Sequence, residues 1–247
     1  MKAPLVQTQK ADQSLVTNAD HAANDILRKG LRETFPTHGI LSEETGVEGP
    51  ANADYLWVVD PLDGTNTYAK GQPGFSVMVG LLFRRKPVLG VVYDPLGGHL
   101  YEALRKNGCF HTHGGHRAQV FVSDRDQWAE MPIVTSTGFP DILRDHLRAS
   151  LGRPFLEPIH SVGAKVGALV RGQADLYVNH HSLHYWDTCA PLIILEEAGG
   201  VMTHWDGSPL SYPPTDPHQH PGPTVASNGR RHDDLLRFLA KASGPPA

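Results

Sequence analysis

Residues 55–59 form a compact apolar run that leads directly into Asp60-Pro61-Leu62-Asp63-Gly64-Thr65. An apolar run of that length, bounded by polar segments, reads as a buried strand. Two carboxylates three residues apart then stand at the strand's end, with Pro61 fixing one torsion between them. Such a turn can aim both side chains and one backbone carbonyl at a common centre, and hard oxygen donors of that kind suit Mg2+. Gly64 and Thr65 would add N–H groups and a hydroxyl for an anion. Read alone, the same pattern also fits an Asx-type turn whose acids only cap backbone groups.

The surrounding rhythm predicts a mixed α/β chain in two parts. Residues 17–35 follow helical spacing through Ala23, Ile26, Leu27, Leu31 and Phe35, with Thr17 or Asn18 as cap and Pro36 as stop. A short extended piece at 39–41, a polar loop at 46–53, and strands at 75–83, 88–93, 100–104, 109–110 and 120–122 continue as an antiparallel meander. Arg84 to Pro87 makes the first hairpin turn. Beyond residue 130 helices and strands alternate: strands at 133–135, 174–178, 201–203 and 225–227, helices at 142–151, 162–171, 188–198 and 233–242. Residues 213–223 read as an exposed Pro/His loop. The expected division is 1–130 and 131–247.

Composition narrows the function. With 40% hydrophobic residues and a net charge of -4, the chain can fill a core and lacks the bulk positive charge that holds a nucleic-acid polymer. The first residues have no apolar leader, and no run approaches the length of a membrane span. Cys109 and Cys189 are far apart and in no Cys-x-x-Cys pair, so neither a disulfide framework nor a zinc site is implied. A cytoplasmic protein without a membrane partner is expected. The histidines at 111, 113 and 116, at 180, 181 and 184, and at 218 and 220 sit among Gly, Asn, Ser or Pro and read as polar loops rather than metal sites.

Four further acidic residues matter. Adjacent Glu43 and Glu44 repel unless solvated or offset by a cation; read alone, they fit an exposed acidic loop better than a cation site. Asp187, after Trp186, stands where a helix N-cap belongs. Asp20 falls in the first turn of the 17–35 helix, where the macrodipole favours a negative charge.

Together, Ser42-Glu43-Glu44, Asp60 to Thr65, and Trp186-Asp187 followed by Glu197-Ala198-Gly199-Gly200 resemble the inositol monophosphatase family in content, order and separation, from about Lys10 to about Tyr212. Within it, Lys10-Ala11-Asp12-Gln13-Ser14-Leu15-Val16-Thr17-Asn18-Ala19-Asp20, Ser161 to Lys165, residues 172–177 and Trp205-Asp206-Gly207 resemble the 3'(2'),5'-bisphosphate nucleotidase branch. That branch usually has Lys-Glu-Phe where this chain has Asn66-Thr67-Tyr68, and its helix usually continues Trp-Asp-x-Ala-Ala-Gly where this chain has Trp186-Asp187-Thr188-Cys189-Ala190-Pro191.

The resemblance implies a layered α-β-α-β-α sandwich of the inositol monophosphatase and fructose-1,6-bisphosphatase type, and a hydrolase. It implies that Glu43, Asp60, Asp63, Asp187 and the Leu62 carbonyl hold two or three Mg2+ ions, and that Asp20, Thr65 and Glu43 serve catalysis. Asp63, Gly64, Thr65, Lys165 and Asp187 would face a small phosphorylated substrate; a solvated helix lysine is the other reading of Lys165. A homodimer is the assembly the resemblance suggests. The expected reaction removes the 3'-phosphate of 3'-phosphoadenosine 5'-phosphate. Inositol monophosphate, a sugar bisphosphate, and a catalytically inactive metal- and phosphate-binding regulator are the alternatives.

Overall fold

The computed structural model describes residues 5–9, 14–50, 53–151 and 155–242. Its first half contains β1 (Gln7–Gln9), β2 (Leu15–Thr17), α1 (Asn18–Thr34), β3 (Gly39–Ser42), β4 (Gly46–Glu48), β5 (Tyr55–Asp63) and α2 (Thr65–Ala69), then β6 (Ser76–Phe83), β7 (Lys86–Asp94), β8 (His99–Leu104), β9 (Gly108–His113) and β10 (His116–Val120). The second half contains β11 (Ile133–Thr135), α3 (Asp141–Leu151), α4 (Val162–Val170), β12 (Leu176–His184), α5 (Tyr185–Glu197), β13 (Val201–His204), β14 (Gln219–Ser227) and α6 (His232–Ala242). Lys10, Asp12 and the rest of residues 10–13, which carry part of the branch resemblance, lie outside the described residues, as do Ala51 and Asn52 of the predicted 46–53 loop.

The layers follow from where apolar side chains can meet. Strands β3 to β10 form one eight-stranded sheet in the order β10-β9-β8-β7-β6-β5-β3-β4, and β11 to β14 a four-stranded sheet in the order β11-β12-β14-β13. Leu27 and Leu31 of α1 pack on Ile40, Trp57 and Val59, covering one face of the large sheet. Its other face meets α4 and α5 in the main core, through Met78, Val92, Val166, Leu169 and Ile193. Leu147 of α3 and Leu235 and Leu239 of α6 join Ile133, Val178 and Val225 on the far side of the small sheet. The result is the expected α-β-α-β-α sandwich.

Two paired glycines decide where α5 lies. Gly80 of β6 and Gly90 of β7 are directly opposed. A Cβ at Gly80 would stand 2.5 Å from Cys189 Sγ, and one at Gly90 2.5 Å from Ile193 Cγ2. The missing side chains leave a groove that seats α5 against the sheet, and so fix the start of α5 near the end of β5.

Several expectations need correction. Ile26, placed on the buried face of α1, is 73% exposed, and that face runs instead through Asp20, Asn24, Leu27 and Leu31. The predicted 46–53 loop contains β4, which pairs with β3. The 84–87 turn is tighter than expected, since Phe83 already pairs with Lys86, and Arg84 and Arg85 take positive φ values of 47 and 65. Most of these histidines are not loop residues: His111 and His113 lie in β9, His116 in β10, His180, His181 and His184 in β12, and His220 in β14, while His218 lies in a loop as expected. The 213–223 loop is likewise shorter, because β14 starts at Gln219 and His220 is 2% exposed.

Candidate active site

Strand β5 is buried from Leu56 to Asp63 and loses its regular register between Asp60 and Asp63. That irregularity, at Pro61, lets residues 60 and 63 turn toward the same side. Gly64 closes the strand at φ 98; a Cβ there would lie 3.1 Å from Gly74 O and from Phe75 Cβ, so only glycine fits. Thr65 then opens α2, a short helix that follows the predicted turn.

At the start of α5, Asp187 is the third helical residue rather than the cap. His184 occupies the cap, and its backbone N–H donates to Asp187 Oδ2 at 2.6 Å. The helix therefore begins three residues before the predicted position 188. This shift aims the carboxylate toward β5. Carboxylate oxygens of Asp60, Asp63 and Asp187 all lie within 4.8 Å of one another. Glu43 lines the same cavity of about 600 Å3, together with Leu62, Gly64, Thr65 and Lys165; its own N–H donates to Val59 O at 3.1 Å, tying β3's end to β5. Glu44, its neighbour, is not part of the lining.

Electrostatics make this cluster uncomfortable as it stands. Burial pushes the Asp60 carboxyl well above the usual carboxylate range, and the charges of Glu43, Asp63 and Asp187 push it further. Burial, then Asp63, does the same to Asp187 against the opposing His184 hydrogen bond. Acid groups gathered out of water without a cation resist ionisation. The donor set is all oxygen, so a hard divalent cation is the group it fits.

Other groups hold the acids in place. Asp63 Oδ2 accepts from Ser161 Oγ at 2.7 Å and from Gly163 N at 3.2 Å, where α4 begins. Asp60 Oδ1 accepts from Leu62 N at 3.0 Å. Thr65 Oγ1 lies 2.9 Å from Asp20 Oδ1 and 3.1 Å from Leu62 O. Asp20 Oδ2 accepts from Thr17 N at 2.8 Å and from Thr17 Oγ1 at 2.6 Å, closing the capping box of α1.

Lys165 is not a solvated helix lysine. It is 1% exposed, and its Nζ donates to Ser136 Oγ at 2.9 Å, Ile159 O at 3.2 Å and His160 O at 2.8 Å, beside the Tyr177 ring. Burial lowers its pKa to about 8, with Asp63 and Asp187 acting against that shift. The wall it supports includes Ser136, Thr137 and His160, and the lining continues through His181, Ser182, His184 and Trp186. Thr137 Oγ1 and His160 Nδ1 are 2.6 Å apart, and His184 stacks on Trp186 at 4.6 Å. Sequence reasoning gave no role to Ser161, Thr137 or His160; Ser161 had a visible signal, as a serine directly preceding a small-residue helix.

A layered α/β sandwich whose cavity gathers buried carboxylates beside a hydroxyl is the architecture of a metal-dependent phosphatase. The chain belongs to the Inositol monophosphatase family, whose sequence profile matches residues 2–242. It is 35% identical over 228 residues to the 3'(2'),5'-bisphosphate nucleotidase CysQ of Escherichia coli (strain K12), covering 89% of this chain and 88% of that protein. It is 29% identical over 250 residues to the inositol-1-monophosphatase of Synechocystis sp. (strain ATCC 27184 / PCC 6803 / Kazusa), covering 97% and 81%. The solved inositol monophosphatase from Anabaena (Nostoc) sp. PCC 7120 superposes with a TM-score of 0.77 at 32% identity, over 90% of this chain and 86% of that one. The family's members are metal-dependent phosphatases, and this chain is a phosphoric monoester hydrolase. No described helix is long and apolar enough to cross a membrane.

Proposed function

We propose that the chain is an Mg2+-dependent 3'(2'),5'-bisphosphate nucleotidase that converts 3'-phosphoadenosine 5'-phosphate to AMP and phosphate. The observation that carries the phosphatase chemistry is the Thr65–Asp20 pair standing beside the Asp60, Asp63 and Asp187 carboxylates. Glu43, Asp60, Asp63, Asp187 and the Leu62 carbonyl would hold the cations. When bound, they stabilise charge on the phosphoryl oxygens and acidify water.

The chain's own residues do the rest. The Thr65 hydroxyl has one hydrogen, and Asp20 takes it. The Thr65 oxygen is therefore left to accept from a water, orienting that water's lone pair toward phosphorus. The N–H groups of Gly64 and Thr65 would receive phosphate oxygens as the turn into α2 opens. Ser161 and Gly163 keep Asp63 in one rotamer, which limits the reorganisation needed when substrate arrives. No covalent phosphoenzyme is required.

Two observations support the nucleotide as substrate. The cavity of about 600 Å3 extends past the acids along Thr137, His160, His181 and the stacked His184–Trp186 pair, a polar and aromatic wall suited to a ribose and a base. The 35% relative carries the nucleotidase name. The likeness to inositol monophosphatases keeps inositol monophosphate as the second reading. Phosphate release in Mg2+ separates them. A kcat/KM for 3'-phosphoadenosine 5'-phosphate well above that for inositol 1-phosphate is the expected result, and the reverse order would assign the chain to the inositol ester.

A further inference from the structure

The wall of the catalytic cavity at 159–161 has a second side. Ser161 N donates to Gly74 O at 3.2 Å and Lys165 Nζ donates to Ile159 O, while Gly74 and Ile159 also line a separate cavity of about 390 Å3. The two cavities share no lining residue. The second lies between α4 and the strands β7 and β8. Val92 of β7 is directly opposite Tyr101 of β8, and Asp94 follows Val92 on the same face. Two glycines one turn apart draw α4 onto that face: a Cβ at Gly163 would stand 2.8 Å from Val92 Cγ1, and one at Gly167 2.9 Å from Tyr101 Cε2. Ala164 beside them leaves a gap, and Arg171, the C-cap of α4, stands at its end. The outer wall is pinned to β11, with Leu156 N on Ile133 O at 2.9 Å and Ile159 N on Thr135 O at 3.1 Å.

We propose that this cavity binds an apolar α-amino acid, with its carboxylate on Arg171, its ammonium on Asp94 and its side chain against Val92, Leu156 and Ile159. The carrying observation is a pair of opposite charges that line one cavity and, among the described residues, form no ion pair with each other. Arg171 uses three of its five N–H groups, one on the Tyr101 hydroxyl and two on Gln173 Oε1, at 3.2 and 2.7 Å. One N–H on each terminal nitrogen is left for a ligand. Asp94 Oδ1 accepts from Leu96 N at 3.0 Å and Gly97 N at 2.8 Å, and Oδ2 has no hydrogen-bond partner among the described residues.

The charges select the ligand. A plain carboxylate or phosphate would face Asp94 and the exposed Glu157 as well as Arg171, two negative groups against one positive. A plain amine would face Arg171. A zwitterion with adjacent charges answers Arg171 and Asp94 together, and charge-assisted hydrogen bonds of this kind are the strong ones. Arg171 and Asp94 both act electrostatically on the Tyr101 hydroxyl, which places them at the same end of the cavity. That hydroxyl accepts from Arg171 and keeps its own hydrogen to donate to a carboxylate; burial pushes its pKa up, so it stays protonated. Away from the charged end, Pro73, Val92, Leu156 and Ile159 offer apolar surface, which favours a hydrophobic side chain over a polar one. The volume sits at the small end of the range for ligand cavities, about 300–1,000 Å3.

The test is calorimetric titration of the full chain, in Mg2+, with L-leucine as the probe. Binding of one leucine is expected, weakened about 10-fold or more in Asp94→Asn, which loses the charge but keeps an acceptor for Leu96 N and Gly97 N. Ala164→Leu fills the gap from α4 and should abolish binding. Leucine should raise the melting temperature of the wild type and leave that of Ala164→Leu unmoved. 4-Methylpentanoate and 3-methylbutylamine, which keep the side chain but carry one charge each, should bind about 10-fold or more weakly than leucine. Absence of saturable binding, equal binding in wild type and Asp94→Asn, or analogues that bind as tightly as leucine would overturn the proposal.

Discussion

Thr65 Oγ1 lies 2.9 Å from Asp20 Oδ1, linking the end of β5 to the first turn of α1 across 45 residues of sequence. Asp20 serves two structures at once. One carboxylate oxygen receives Thr65, and the other receives the backbone and hydroxyl of Thr17. Asp20→Asn keeps the shape but loses the charge that draws the Thr65 hydrogen. The expected outcome is a fall in kcat of about 100-fold, within the usual range for a positioned proton acceptor. KM should change far less, because the cation ligands and phosphate donors remain. Steady-state kinetics of phosphate release check the split; a loss confined to KM would remove Asp20 from the chemistry.

Asp60 tests whether the cluster is a cation site that trades stability for function. Without metal, burial and the charges of Glu43, Asp63 and Asp187 oppose its ionisation. Asp60→Asn removes one charge and keeps an oxygen for Leu62 N. In chelator, the variant should melt at or above the wild-type temperature. Added Mg2+ should raise the wild-type melting temperature by mass action and leave the variant nearly unmoved. Turnover should be lost. Thermal melts with and without Mg2+ decide it, and a large destabilisation in chelator would show the carboxylate to be structural.

How much of this was legible in sequence depends on how local the cause is. The β5 run and its terminal acids are read directly, because burial and turn chemistry act within ten residues. Asp187 is different. Its approach to Asp60 and Asp63 depends on Gly80 and Gly90 admitting α5, a relation no local pattern displays. The His-rich segments were misread because Gly, Asn and Pro neighbours outweighed a period-two signal that was present in His111-Thr112-His113. Pro221 and Pro223 hid the first part of β14 for a related reason. A proline breaks a regular ladder, but β12 carries register shifts on either side of Ser182, the partner of Pro223, and tolerates it there.

His220 ties stability to pH. Burial lowers its pKa to about 3, and His204 and His184 add to the effect. Its Nε2 lies 2.8 Å from Thr188 Oγ1, among Tyr185 and Tyr212. The unfolded chain takes up this proton below pH 6.5, whereas the folded chain refuses it until about pH 3. The unfolded state therefore binds more protons throughout that window, and stability present above pH 6.5 is lost as pH falls through it. His181, lowered to about 4, acts in the same direction. Asp60 and Asp187, whose raised carboxyls act in the opposite direction without metal, are common to wild type and variant, so in chelator the wild-type melting temperature should fall relative to that of His220→Asn between pH 7 and pH 4.5. Equal slopes would show that His220 does not carry the dependence.

Lys165 separates support from contact. An ammonium has three N–H donors, and Ser136, Ile159 and His160 engage all three. The residues it joins, at 136–137 and 159–160, form one wall of the cavity, so its first effect is on the shape of that wall. Lys165→Met fills the volume but strands buried acceptors, each worth about 1–3 kcal/mol. A drop in melting temperature of about 5 °C or more is expected for a chain of this length. KM for 3'-phosphoadenosine 5'-phosphate and for inositol 1-phosphate should rise by similar factors, since a displaced wall affects any substrate. A KM increase confined to the bisphosphate, with the melting temperature unchanged, would make the ammonium a direct ligand of the second phosphate.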